Sequence, residues 1–446
     1  MLKFRYYFRF FKAFVVRFRA ILAIGIALGM VFFLALGFAA PRFFSQKIER
    51  IGYTGRYTSD ALPQEILHLI GNGLTKVNES GNVAGELSSS WEYTEDGKIW
   101  IFHLDDKKTW QDGKPVTSDA INYNFDQVKI EKPDSKTIKF ILKEKFAPFP
   151  SVVSKPIFKK GLLGTGTWKV TKLSLVGNYV EYMNLEDKDK NKKIIKFYPT
   201  EERTKIAFQL GEIDRIEDIL DPEPLSSWKT AALTGSVVSN RYVAVFFNMQ
   251  DVEFNDNDKK DKKAFRQALT YAIDKEALSQ NRALGPISPN SWAFNSQIKS
   301  YDYDPKRAKE LLADIPKAER EKISLKLTTT SNLIKQAEKI AKNWSDIGIK
   351  TTVSVVTGIP NDYQAFLATY DSPYDPDQYV TWHSSQMASN ISKYASPRID
   401  KLLEDGRLEL SQNERRKIYL DFQRYLLEDD PAAFLYHPTS YTITRK

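Results

Sequence analysis

Residues 334–356, IKQAEKIAKNWSDIGIKTTVSVV, carry the reading that decides the fold. Ile334, Ala337, Ala341, Trp344 and Ile347 recur at three- and four-residue intervals, which places them on one face of a helix. Gly348 closes that helix, because a residue without Cβ accepts the left-handed backbone that ends helices. The run from Thr351 to Val356 is rich in β-branched residues and reads as a strand. A helix running straight into a strand is the repeating unit of a mixed α/β fold.

The same grammar extends in both directions. Downstream, 397–410 and 415–429 read as two more helices. Upstream, Asp304-Pro305 marks a helix start, with Asp as cap and Pro in the first turn. Thr200 followed by Glu201 and Glu202 opens another, since early acids complement the helix dipole. Residues 260–273 are helical, and the charged patch 256–263 before them reads as a solvated turn. The region nearer the N-terminus is richer in strands. Residues 48–58 open as a strand, and 63–69 form a helix stopped by Gly71 and Gly73. Glu95-Asp96-Gly97-Lys98 and Gln111-Asp112-Gly113-Lys114 are turns of the Asp-Gly type, and 99–104 between them is a strand. Thr117 or Ser118 is expected to cap a helix running to about residue 129.

The totals exclude several function classes. With 446 residues, two or three lobes are expected. The absence of cysteine removes disulfides, thiol nucleophiles, Cys-based zinc sites and any lipid anchor on sulfur. The net charge of +9 suggests nucleic acid until its distribution is examined. Residues 1–47 hold eight Lys/Arg and no acid, which leaves +1 for residues 48–446. A nearly neutral body lacks the basic face that nucleic acid requires, so no nucleic-acid partner is expected.

Residues 20–40, AILAIGIALGMVFFLALGFAA, contain no charged side chain. As a helix they would span about 31 Å, close to a hydrocarbon core of about 30 Å. Six Lys/Arg precede them, which predicts residues 1–19 on the cytoplasmic side and the body outside. The run exceeds the usual apolar core of a secretory signal, which favours a retained single-pass anchor over cleavage near Gly37-Phe38-Ala39.

Enzyme signatures fail one by one. His68, His103, His383 and His437 are scattered, and no H-E-x-x-H or G-x-S-x-G occurs. Gly161 to Gly166 has the glycine spacing of a phosphate loop, but Thr167-Trp168 stands where Lys-Ser/Thr is needed. No catalytic residue, metal ligand or cofactor is therefore expected. A glycosidase-like carboxylate pair stays open on spacing alone, and an envelope hydrolase is the alternative reading. A binding protein repurposed as a sensor or chaperone is another.

One set of motifs does recur in order. It comprises Val83 to Trp91, Asp96-Gly97, Trp100 to Leu104, Trp110-Gln-Asp-Gly-Lys-Pro-Val-Thr-Ser-Asp-Ala120, Leu163 to Trp168, Ala264 to Lys275 and Tyr303 to Leu312. The run from Arg415 to Tyr436 closes it. Together they resemble the extracellular solute-binding proteins of family 5, the peptide-, nickel- and oligosaccharide-binding subunits of ABC importers, over about residues 50–440.

The resemblance implies a mixed α+β and α/β clamshell of the two-lobed periplasmic-binding type (type II-like) with an extra small β-rich domain. It implies lobe I from 48–58, 163–240 and 418–446, the small domain from 59–162, and lobe II from 241–417, with hinges near 240 and 417. It also implies a monomeric receptor that passes a short peptide or related solute to permease subunits driven by cytosolic ATPases. By the same analogy Asp371 or Asp375 holds a ligand amine. Ser372 stands at the position where the family's anchoring Asp is expected, and Tyr370 replaces its Trp. Tyr242, Phe246, Tyr370, Tyr374 and Trp382 would wall the cleft, and residues 57–62, including Ser59, Asp60 and Ala61, would offer a backbone edge to an extended ligand.

Overall fold

The computed structural model describes residue 12 and residues 15–44, 47–255 and 262–446. Most of the basic segment 1–19 and most of the charged patch 256–263 lie outside the described residues. Arg19–Phe44 is one helix that contains the whole apolar run. Its described side chains, among them Ile21, Ile24 and Phe33, are exposed. Among the described residues no helix is long and apolar enough to cross a membrane, and the side chains of residues 35–44 fall outside that set.

Two large sheets organise the rest. The first has seven strands in the order Ala231–Val237, Thr439–Arg445, Arg215–Ile219, Ile48–Thr54, Lys192–Tyr198, Tyr179–Glu186 and Lys169–Val176. Ile48–Thr54 runs parallel to both Lys192–Tyr198 and Arg215–Ile219, and the remaining pairings are antiparallel. The second has five strands in the order Lys350–Val356, Ser324–Thr330, Ala365–Asp371, Arg241–Phe247 and Ala432–Tyr436. Arg241–Phe247 is apolar after its first residue because it is covered on both faces. Val243, Val245 and Phe247 pack with Trp344 and Leu269, while Tyr242, Ala244 and Phe246 pack with Tyr419, Phe422 and Trp382.

A third body is a four-stranded antiparallel sheet, Ser88–Thr94, Ile99–Leu104, Thr137–Ile141 and Lys129–Asp134, beside the two-stranded pair Thr75–Val77 and Val83–Gly85. Its core is aromatic, with Trp100, Phe102, Trp110, Phe140 and Phe149 buried together. Gln111 ties this small body to the seven-stranded one. Its Nε2 donates to the carbonyls of Ile70, Gly166 and Trp168 at 3.1, 2.9 and 2.8 Å.

Local signals hold where the chemistry is local. Thr200 accepts from Arg203 N and caps Glu201–Gln209, and Asp304 accepts from Arg307 N and caps Pro305–Leu312. Ile334–Asp346 is helical, and Gly348 at φ +92° ends it with open space where a Cβ would stand. The helix expected over 118–129 is not formed. Only Ser118–Ala120 makes a helical turn, and strand Lys129–Asp134 follows. The Ser118 hydroxyl donates to the Asp134 carbonyl instead of capping. The apolar residues Ile121, Tyr123 and Phe125 recur every second position, and all three pack on the aromatic core in extended chain.

The chain passes between the two large sheets at 238–240 and again at 437–438. The second passage lies beyond the expected boundary near 417. Helix Gln412–Asp429 and strand Ala432–Tyr436, expected in the first lobe from 418 onward, pack with the five-stranded sheet, and only Thr439–Arg445 returns to the seven-stranded one.

Candidate functional site

The two large sheets meet where the chain crosses between them. Arg241 begins its strand there and lies in register opposite Asp371, the last residue of Ala365–Asp371. Its Nε donates to Asp371 Oδ1 at 2.5 Å. Its Nη1 and Nη2 donate to Asp218 Oδ1 and Oδ2 at 2.8 and 3.1 Å, and Asp218 is next to last in strand Arg215–Ile219 of the seven-stranded sheet. The Ser440 hydroxyl also donates to Asp218. One guanidinium thus bridges both sheets. Burial opposes its charge, but the bonds and charge of Asp218, then Asp371, outweigh burial and hold Arg241 above its ordinary value. Burial likewise favours the neutral form of Asp218, and the Arg241 bonds prevail and hold it below the usual carboxylate range.

More carboxylates lie near this junction. The Tyr374 phenol is pushed up by burial and by the charges of Glu79, Glu65 and Asp371, against Arg241. The Tyr57 phenol is pushed up by burial, then by Asp218, Glu65 and Asp371, again against Arg241. Glu65 comes from helix Gln64–Ile70 and Glu79 from the turn before Val83–Gly85, so all three bodies contribute. Two carboxylates hold the Arg241 guanidinium, and Glu65 and Glu79 add negative charge near the neighbouring Tyr57 and Tyr374 phenols.

The expected ligand residues fall into three groups. Asp371 and Tyr374 are exposed at this junction, with the Asp371 side chain 67% exposed. Tyr370 is half-buried and bonds Thr381 Oγ1 through its hydroxyl at 2.6 Å. Tyr242, Phe246 and Trp382 are 1, 0 and 1% exposed and belong to the closed core of the five-stranded body. Tyr242 stacks at an angle on Tyr370 and edge-on to Phe434, and Trp382 packs on Phe246 and Phe434.

Asp375 is engaged on both oxygens. Arg415 Nη2 donates to Oδ1 at 2.8 Å and Nη1 to Oδ2 at 3.2 Å, and Ser151 of the small body donates to Oδ2 at 2.9 Å. The Asp375 and Arg415 side chains are 11 and 8% exposed. Ser372 is also committed, donating to the Pro286 carbonyl and accepting from Gln378 Nε2, both at 3.0 Å. The edge 57–62 is partly spent, since Tyr57 O accepts from Val180 N and Thr58 O from Ala61 N. Ser59 and Asp60 instead border a depression of about 580 Å3 with Lys159, Leu162, Lys172 and Leu173. Ala61 is exposed beside them.

Sequence reasoning missed Arg241, Asp218, Glu65 and Glu79. Arg241 had a signal, because it is the one charge heading an otherwise apolar strand at the crossing. The carboxylates had none, since only the topology brings them together. Among the described residues no group of three His, Asp or Glu side chains could hold a metal ion.

The family model described as bacterial extracellular solute-binding proteins, family 5 Middle, matches residues 82–390. The probable D,D-dipeptide-binding periplasmic protein of Escherichia coli is 25% identical, over 80% of this chain and 79% of its own length. The nickel-binding periplasmic protein of the same organism is 26% identical, over 82% of this chain and 83% of its own. Among solved structures, NikZ from Campylobacter jejuni with Ni(L-His) superposes with a TM-score of 0.74 at 23% identity, covering 89% of this chain and 94% of its own. The oligopeptide-binding protein AppA from Bacillus subtilis with a nonapeptide gives 0.71 at 21%, covering 90% and 95%.

Proposed function

The chain belongs to the bacterial extracellular solute-binding proteins of family 5, and from that premise we propose that it captures a short, positively charged peptide or a related cationic solute for an ABC importer. Proteins of this family bind solutes and are not enzymes, and an extracytoplasmic location fits them. The seven-stranded and five-stranded bodies act as the two lobes, and 238–240 and 437–438 act as the hinge. Ligand shifts the lobes toward closure by touching both of them.

The observation that carries the reading is the Arg241 bridge between Asp218 of one sheet and the exposed Asp371 of the other, with the charges of Glu65 and Glu79 felt at the neighbouring Tyr57 and Tyr374. Asp371 takes the amine role, because it is the exposed aspartate of the loop, and Tyr374 flanks it. Asp375 is too fully engaged to serve. Tyr242, Phe246, Tyr370 and Trp382 support the wall from behind. The 57–62 segment contributes Ser59 and Asp60 at the rim. The receptor works as a monomer and delivers to permease subunits. The helix Arg19–Phe44, led by a basic segment, tethers it to the membrane as a single-pass anchor.

Native mass spectrometry of the full chain from detergent tests the reading. The expected result is a ladder of small co-purified masses that fit peptides, reduced about tenfold in occupancy by Asp371→Ala. A protein that carries no small mass, and shows no thermal shift with di- and tripeptides or nickel–histidine, would sink it. Alkaline extraction of membranes tests the tether, which predicts full retention in the pellet.

A further inference from the structure

The small body is covalently joined to the seven-stranded body alone, through residues 70–74 and 157–168, yet it is also fastened to the five-stranded body. Ser151 donates to Asp375 Oδ2 at 2.9 Å. Trp292 donates through its backbone N to Ser80 O at 3.0 Å and through Nε1 to Gly81 O at 3.2 Å. Ala147 N donates to Arg407 O at 2.7 Å. Gly81 lies so close that a Cβ there would meet Tyr374 O at 2.5 Å, and its φ of +78° is itself a glycine conformation. None of these contacts is bridged by chain. If the lobes part at 238–240 and 437–438 while the small body stays with its own lobe, every one of them breaks.

We propose that the small body is a ligand-independent clasp that sets the open-to-closed balance of the cleft, with Ser151 on the buried Asp375–Arg415 pair and Trp292 on the 80–81 turn as its main side-chain fastenings. The inference rests on the two-lobe reading above and assigns that site a regulator. It also gives Asp375 a task. Arg415 holds both of its oxygens in fixed positions, and a hydroxyl from the opposite lobe completes its shell only on closure. A hydrogen bond to a charged acceptor is the stronger kind, so its loss moves the balance measurably. Apparent ligand affinity scales with the fraction of molecules held ready, so residues that touch no ligand tune it.

The chain has no cysteine, so cysteines introduced at Leu233 and Ile359, both exposed and on opposite lobes, label uniquely. Pulsed dipolar distances are measured on the full chain in detergent after co-purified solute has been removed by unfolding in denaturant and refolding. The parent should show a substantial closed population. Ser151→Ala and Trp292→Phe, the latter keeping an aromatic ring and the backbone bond to Ser80 but losing the Nε1 donor to Gly81, should each raise the open-to-closed ratio about five- to tenfold, and the double variant more than either. Distances unchanged in the double variant, or a parent already fully open, would overturn the clasp. Neither result touches the receptor reading, which fails only if no solute binds.

Discussion

Asp371 and Asp375 stand four residues apart on one loop and each meets an arginine, yet they sit in different physical regimes. Asp371 meets Arg241 at the open end of the crossing, where water screens the pair and a ligand can share it. Asp375 meets Arg415 under the small body, where both side chains are largely buried and both carboxylate oxygens are committed. The exposed pair can exchange partners, and the buried one can only hold its geometry. A carboxylate beside an arginine therefore signals a site or a rivet according to its access to water.

The sharpest way to break this contrast is to remove one arginine. Arg415→Met leaves Asp375 buried with Ser151 as its one remaining side-chain partner, and breaking a buried pair typically costs about 3–5 kcal/mol. Denaturant unfolding should show a loss of that size, and a loss under about 1 kcal/mol would put the pair in the same class as Asp371. A third aspartate supplies the opposite limit. Asp430 is fully buried, and burial pushes it up to about 7 against the Thr270 hydrogen bond and the charges of Arg266 and Lys275. The native state therefore keeps a proton that the unfolded chain releases near pH 4. Its contribution is fully present below about pH 4 and is lost as pH rises toward 7. Asp430→Asn should remove that fall and gain on the order of 2–4 kcal/mol at pH 8 relative to pH 4. A stability profile from pH 4 to 8 with the same slope in both proteins would contradict it.

How much of this was legible follows the same line between local and distant. Caps at Thr200 and Asp304, the 95–98 turn and the 334–356 unit were readable because each signal and its partner lie within a few residues. The 118–129 segment was misread as helix because a capping residue outweighed the every-second-residue spacing of Ile121, Tyr123 and Phe125. Tyr242, Phe246 and Trp382 looked like cleft walls because aromatic character does not say which layer covers it, and helix Gln412–Asp429 covers them. Asp375 could not be separated from Asp371 because Arg415 is 40 residues away and Ser151 is 224.

The smallest stability effect is expected at Asp371, where the contrast becomes most useful. Asp371→Asn should change unfolding free energy by no more than about 1 kcal/mol, because an exposed pair gains little over hydrated charges and Arg241 keeps its two bonds to Asp218. Whatever difference exists should fade between about 0.05 and 0.5 M salt, as the screening length shrinks. The loss at Arg415→Met should persist across that range, since mobile ions do not reach a buried pair. Parallel titrations of the two variants thus give opposite salt signatures for two arginine–aspartate contacts on one loop. Equal salt sensitivity would mean that the small body lifts often enough for water and ions to reach Asp375, and the rivet would then be as open as the site.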